Sequence, residues 1–127
     1  MILEGLMVSI LIVEDDASLQ FLYKQVLLLN GFTIFGIASN GMEALELFQK
    51  HPEKPDVILM DHRMPIKTGL EATREILALD SSAKIIFTSA DSSIKKEAFA
   101  LGIISFKDKP FTIENLISNI KKAVNLK

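Results

Sequence analysis

Two rhythms of apolar residues alternate along the chain. In the first, apolar positions run together between polar ends: Val8–Val13, Phe32–Ile37, Val57–Met60, Lys84–Thr88 and Ile103–Phe106. Short runs rich in Val and Ile predict strands, and an unbroken run predicts burial on both faces. In the second, apolar residues recur every three or four positions. Leu19, Leu22, Val26 and Leu29 mark a helix over Ala17–Asn30, and Ala44, Leu45 and Phe48 one from Asn40 to about Lys50. Further helices are expected over Leu70–Leu79 and Ile94–Leu101, and over Thr112–Asn125 with Ile113, Leu116, Ile117, Ile120 and Val124 in helical register.

The punctuation agrees. Asp16 is placed to cap the first helix, Gly31 to end it, and Gly102 to end the fourth. Pro52 and Pro55 close the second helical segment, and Pro110-Phe111 cannot continue a central strand. Five strands alternating with five helices predict βαβ units and a parallel sheet covered on both faces. The expected fold is α/β, a flavodoxin-like three-layer α/β/α sandwich with strand order 2-1-3-4-5.

Composition adds bounds. The 127 residues make one domain, able to bury roughly two-thirds of the unfolded surface. The chain has no cysteine, which excludes disulfides and thiolate metal sites and fits a cytoplasmic protein. A net charge of −2 exerts no broad pull on nucleic acid or anionic membrane, and no apolar run is long enough to span a bilayer. Residues 1–6 are expected to be a leader, not a signal peptide, and residues 7–127 the domain.

The chemistry collects where the strands end. In open parallel sheets ligands bind beyond the carboxyl ends of the strands. That rim would gather Glu14, Asp15, Asp16, Asp61, Thr88 and Lys109. Carboxylates without cysteine or paired histidines make an all-oxygen site, suited to Mg²⁺ or Mn²⁺ before Zn²⁺. Without a cation the like charges would raise the pKa of one carboxyl. A cation, a hydroxyl and an ammonium around Asp61 would cradle a phosphoryl group, with Asp61 as nucleophile and an acyl phosphate as product. Asp16 reads as a helix cap more than a ligand. His51 and His62 have no partner at ligand spacing, and Lys95-Lys96 reads as a solvated helix face.

The segments Ile-Leu-Ile-Val-Glu-Asp-Asp (10–16), Val-Ile-Leu-Met-Asp-His-Arg-Met-Pro (57–65) with Gly69, Ile-Ile-Phe-Thr-Ser-Ala (85–90) and Lys-Pro-Phe (109–111) occur in this order on the predicted strand ends. Over about residues 7 to 126 the chain resembles the receiver domain of two-component response regulators. The resemblance implies that Asp61 is the phospho-acceptor. It implies Mg²⁺ bound directly by Asp15, through water by Glu14, and by Asp61 and the backbone carbonyl of Arg63. Lys109 would contact the phosphoryl group. Thr88 would swing toward it and draw in a switch aromatic, here Phe106. The donor would be the phosphohistidine of a sensor histidine kinase, a phosphotransfer protein, or a small molecule such as acetyl phosphate. The domain would catalyse this transfer and its own later hydrolysis, without being a multiple-turnover metabolic enzyme. Its output would be the face of the fourth helix, fifth strand and fifth helix, offered to a protein target or to a second copy in a phosphorylation-dependent homodimer.

Some positions depart from the family pattern. Phe106 stands where Tyr is frequent, Glu14 where Asp is often found, and Ile103 where Ala is common. Asp108 precedes Lys109 directly and is expected to compete for its ammonium. Arg63 and Ala90 occupy variable positions that bear on phosphoryl lifetime. Three rivals stand beside this reading. A Mg²⁺-dependent phosphohydrolase of the haloacid-dehalogenase type would need an acid where Arg63 stands. A flavodoxin relative would need a phosphate-binding loop where the chain is acidic. The third is a receiver that signals by binding alone. The last predicted helix leaves no room for an output domain, so the sequence is read as either a stand-alone receiver or a piece of a longer regulator or hybrid kinase.

Overall fold

A computed structural model describes residues 8–125, so the expected leader at residues 1–6 lies outside the described residues. The strands are β1 (Ser9–Val13), β2 (Thr33–Ala38), β3 (Val57–Met60), β4 (Ile85–Ser89) and β5 (Ser105–Asp108). They form one sheet in the order β2-β1-β3-β4-β5, with every pairing parallel. The helices are α1 (Ala17–Leu29), α2 (Gly41–Lys50), α3 (Gly69–Leu79), α4 (Lys95–Leu101) and α5 (Ile113–Ala123), with a 3₁₀ turn over Ser92–Ile94 ahead of α4. The expected fold class and strand order are those observed.

Side chains alternate across the sheet, and this divides the core in two. Leu11, Val13, Ile58, Met60, Ile85 and Phe87 pack with Phe48 of α2, Ile76 of α3 and Ala98 of α4. Ile10, Ile12, Val57, Leu59 and Ile86 pack with Tyr23 and Leu27 of α1 and Leu116 and Ile120 of α5. Strands β1, β3 and β4 thus bury both faces, which is why their sequences run apolar without a break.

The helix ends follow the side chains at them. Asp16 accepts from the N–H groups of Ser18 and Leu19, Asn40 from Glu43, and Thr112 from Asn115. Thr68 and Glu71 form a capping box at the start of α3. Gly31 and Gly102 leave their helices with φ of 87° and 115°.

One element is displaced from expectation. Ile103 and Ile104, read as the start of the last strand, are the connection into it, and β5 runs on through Lys107 and Asp108. β5 is an edge strand, partly exposed, so polar residues lie inside it and an apolar run does not mark its ends. Among the described residues, no helix is long and apolar enough to cross a membrane.

Candidate phosphoryl and metal site

Register sets the site. Val13 pairs with Met60, so the next residues, Glu14 and Asp61, leave neighbouring strands side by side. The N–H of Glu14 donates to Ala38 O at 3.0 Å and that of Asp61 to Val13 O at 3.0 Å, extending the ladder by one step. Glu14 continues the alternation of Ile10 and Ile12, Asp61 that of Val57 and Leu59, and Thr88 that of Ile86. All three therefore belong to the side of the sheet covered by α1 and α5. On β5, Phe106 belongs to the opposite core. Asp108 shares its parity, while Lys107 and Lys109 take the α1 side.

The charges follow this partition. Lys109 Nζ lies 2.9 Å from Glu14 Oε1 and 3.6 Å from Asp61 Oδ1. Asp108 lies 3.0 Å from Lys95 Nζ instead. The expected competition between Asp108 and the site for Lys109 does not arise, because consecutive strand residues point to opposite faces. Nor is Lys95 simply a solvated lysine: its ammonium also sits 5.2 Å from the centre of the Phe106 ring.

Glu14, Asp15 and Asp61 each bring a carboxylate oxygen within 4.8 Å of the others. Glu14 and Asp61 are buried and Asp15 is exposed. Burial raises the pKa of both Glu14 and Asp61; Lys109 pulls each back, and a neighbouring carboxylate adds to each rise. The expected upward shift is present, with desolvation rather than like charge as its leading cause. Three carboxylates facing one ammonium leave negative charge uncompensated. This hard, all-oxygen donor set fits a divalent cation of the Mg²⁺ type. Asp16 supports the cluster as a cap, and its N–H donates to Glu14 Oε2 at 3.2 Å.

The loop after β3 is built against the acceptor strand. A Cβ at Gly69 would lie 2.0 Å from the backbone oxygen of Asp61, so only glycine lets α3 begin there. The Asp61 carboxylate accepts the His62 N–H at 2.8 Å, and Gly69 N–H donates to His62 O at 3.0 Å. The Leu70 N–H approaches His62 Nδ1 at 3.4 Å, which gives that imidazole a structural contact. Ile66 holds a φ of 71°, a conformation a β-branched residue rarely adopts. The Arg63 guanidinium reaches across the mouth to Asp91 at 2.8 Å. Phe106 is buried and stacked on Phe87, with ring centres 5.9 Å apart.

One residue of this region is absent from the expectations. Tyr23 of α1 is 2% exposed. It stacks on Phe111 at 6.3 Å. With Lys109 and Ala90 it lines a hollow of about 330 Å³. Burial, then the charges of Glu14 and Asp61, push its ionisation up, and the Thr88 hydroxyl pulls it part of the way back. Helical periodicity identifies such a residue only as core; the polar tip shows once α1 is laid on the sheet.

Comparison with known proteins agrees with this geometry. The response regulator receiver domain family matches residues 10–121. The chemotaxis protein CheY of Bacillus subtilis is 36% identical over 118 residues, covering 91% of this chain and 97% of that one. Sporulation initiation phosphotransferase F of the same organism is 31% identical over 121 residues, covering 94% and 95%. Among solved structures, response regulator TrrA of Thermotoga maritima, in complex with Mg²⁺ and beryllofluoride, superposes with a TM-score of 0.83 at 32% identity, covering 92% of this chain and 99% of that one. CheY in the CheX–CheY–BeF₃–Mg²⁺ complex of Borrelia burgdorferi gives 0.88 at 25% identity, covering 94% and 90%. With matching strand order, acidic cluster and near-full-length relatives, the chain belongs to the response regulator receiver domain family.

Proposed function

We propose that residues 7–127 act as a phosphorylation-operated signalling domain in the cytoplasm, with Asp61 as the phospho-acceptor. The observation that carries this reading is the Asp61 carboxylate, buried at a strand end between Glu14 and the Lys109 ammonium 3.6 Å away. An Asp61 oxygen attacks the phosphorus of a histidine-kinase or phosphotransfer-protein phosphohistidine. The P–N bond breaks, its electron pair returns to the imidazole nitrogen, which takes up a proton, and an acyl phosphate remains. Acetyl phosphate serves in the same way by breaking its P–O bond. Hydrolysis reverses the loading: a water oxygen attacks phosphorus, the bond to Asp61 breaks, and phosphate leaves.

Asp15, Asp61 and the backbone carbonyl of Arg63 would hold Mg²⁺ directly and Glu14 would hold it through water, with Mn²⁺ as a substitute. When bound, the cation supplies positive charge to the phosphoryl oxygens. Lys109 exchanges its carboxylate partners for a phosphoryl oxygen, and the Thr88 hydroxyl donates to another. Phe106 follows Thr88, and the surface of α4, β5 and α5 changes for a protein target or a second copy. Arg63, held by Asp91, screens the mouth of the site from water. The relatives named above, including a CheY in complex with CheX and Mg²⁺, support a role in protein docking.

Intact mass after incubation with acetyl phosphate and Mg²⁺ tests this. Wild type gains one phosphoryl group, and Asp61→Asn or EDTA abolishes the gain. Equal phosphorylation of Asp61→Asn overturns the assignment.

A further inference from the structure

Of the described helices, α1 is the one whose outward face is apolar. The other four each carry three charged residues, while α1 carries only Lys24 in its 13. Tyr23 and Leu27 turn to the sheet. On the opposite side Phe21 is 65% exposed, Leu22 42%, Leu28 47% and Leu29 84%. Their positions are regular. Leu22 and Leu28 stand three residues before and after Gln25, and Phe21 and Leu29 four before and after it. Residues three and four apart are neighbours on a helix surface, so the four surround the exposed Gln25 as one patch. The ends of the helix differ in charge. Asp15 and Asp16 are exposed at its start, while Asn30 at its end shares a hollow with Lys121 and Lys122 of α5.

We infer that this face of α1 binds the same face of a second copy, in an antiparallel pair whose two-fold axis passes through Gln25. Such an axis sets a residue some steps before Gln25 against the one as many steps after it in the other copy. Phe21 then meets the partner's Leu29, Leu22 meets the partner's Leu28, and each contact is made twice. The two Gln25 amides, each a donor and an acceptor, pair at the centre. The arrangement also opposes the helix dipoles. It lays the acidic start of each α1 against the basic end of the other, where Lys121 and Lys122 stand. A pattern symmetric about one residue favours a second copy over a protein of another kind. Side chains exposed to this extent offer roughly 400 Å² of apolar area per copy, about half of the ~800 Å² per partner of a stable complex, which fits a weak and reversible dimer. The patch lies on the side of the sheet away from α4, so the pairing does not wait for phosphorylation of Asp61.

Sedimentation equilibrium on the unphosphorylated chain tests this. Wild type is expected to dimerise reversibly at micromolar concentrations. Phe21→Lys and Leu29→Glu, each alone, should weaken self-association at least about tenfold, since each spoils an apolar contact made twice. Circular dichroism checks that both variants, altered only at exposed positions, are folded. Mixed in equal amounts, the two variants should pair with each other. The introduced lysine then faces the introduced glutamate once, and the remaining Leu29 and Phe21 meet as in wild type. A wild type that stays monomeric overturns the inference and assigns the face to a different protein. A dimer that forms only with beryllofluoride and Mg²⁺ overturns it too, as does one that both substitutions leave intact. Folded variants that fail to pair when mixed overturn the antiparallel arrangement.

Discussion

Lys109 is the residue on which the electrostatics of the site turn. Among the described residues it is the ammonium that meets the three carboxylates, 2.9 Å from one buried oxygen and 3.6 Å from another. It thus occupies the same negative field that a divalent cation would use, while the proposed phosphoryl group needs it free. Removing it should separate the two functions. Lys109→Met is expected to bind Mg²⁺ up to about tenfold more tightly, because one competing positive charge is gone. The same variant should be phosphorylated by acetyl phosphate at a small fraction of the wild-type rate. Calorimetry for the metal and intact mass for the phosphoryl group measure the two effects, and weaker Mg²⁺ binding would refute the competition. Gly69 sets the geometry in another way. An alanine methyl there would collide with the Asp61 backbone at 2.0 Å, where no flexible side chain can yield. Gly69→Ala should cost about 1–3 kcal/mol in urea unfolding, as overpacking does, and should blunt phosphorylation by moving α3 off the end of β3.

Between elements, the contact that matters is α4 against β5. Lys95, the first residue of α4, pairs with Asp108 and lies over the ring of Phe106. The pair is about half exposed, so its share is under about 1 kcal/mol, and the cation–ring contact adds about 0.5–1 kcal/mol. Together these suffice to change a ring's inward population several-fold. Lys95→Met or Asp108→Asn should therefore loosen Phe106, seen by NMR as weaker Phe87–Phe106 ring contacts, while the fold is unchanged. Undiminished contacts in both variants would show that packing alone holds the ring. None of this was legible in the sequence, where Lys95 reads as a surface lysine and Asp108 as a rival for Lys109. The reason is physical. Apolar runs reveal strands buried on both faces, so β1, β3 and β4 and the residues at their ends, Glu14, Asp61 and Thr88, could be placed from spacing and motif order. β5 lies at the edge, its polar residues break the run, and its start was misplaced by two positions. Side-chain parity across that strand, and the depth at which Tyr23 enters, depend on how helices pack on the sheet.

For the molecule as a whole, the site stores an opposition between folding and charge that pH and Mg²⁺ should expose. Folding buries Glu14 and Asp61 and raises their pKa values. A carboxyl raised on folding holds its proton more tightly in the native state. Its contribution to stability is therefore fully present below the unfolded value, about 4, and is lost as pH rises through the raised native value. Surface carboxyls act in the opposite sense. Asp91, stabilised by the Ser93 hydroxyl, and Asp80, stabilised by the Ser82 hydroxyl, have lowered values, so their contribution fades as pH falls through the lowered native values. The metal-free protein should accordingly be stabler near pH 5 than near pH 8 as far as the site is concerned. A divalent cation reverses the balance, since it binds the ionised carboxylates and must displace their protons. The rise in Tm produced by saturating Mg²⁺ should thus be larger near pH 8 than near pH 5, and Mg²⁺ binding at the lower pH should release protons. Thermal unfolding across this range, with calorimetry in two buffers of different ionisation enthalpy, measures both. An equal Mg²⁺ effect at the two pH values, with no proton release, would mean that the cation does not meet the buried pair.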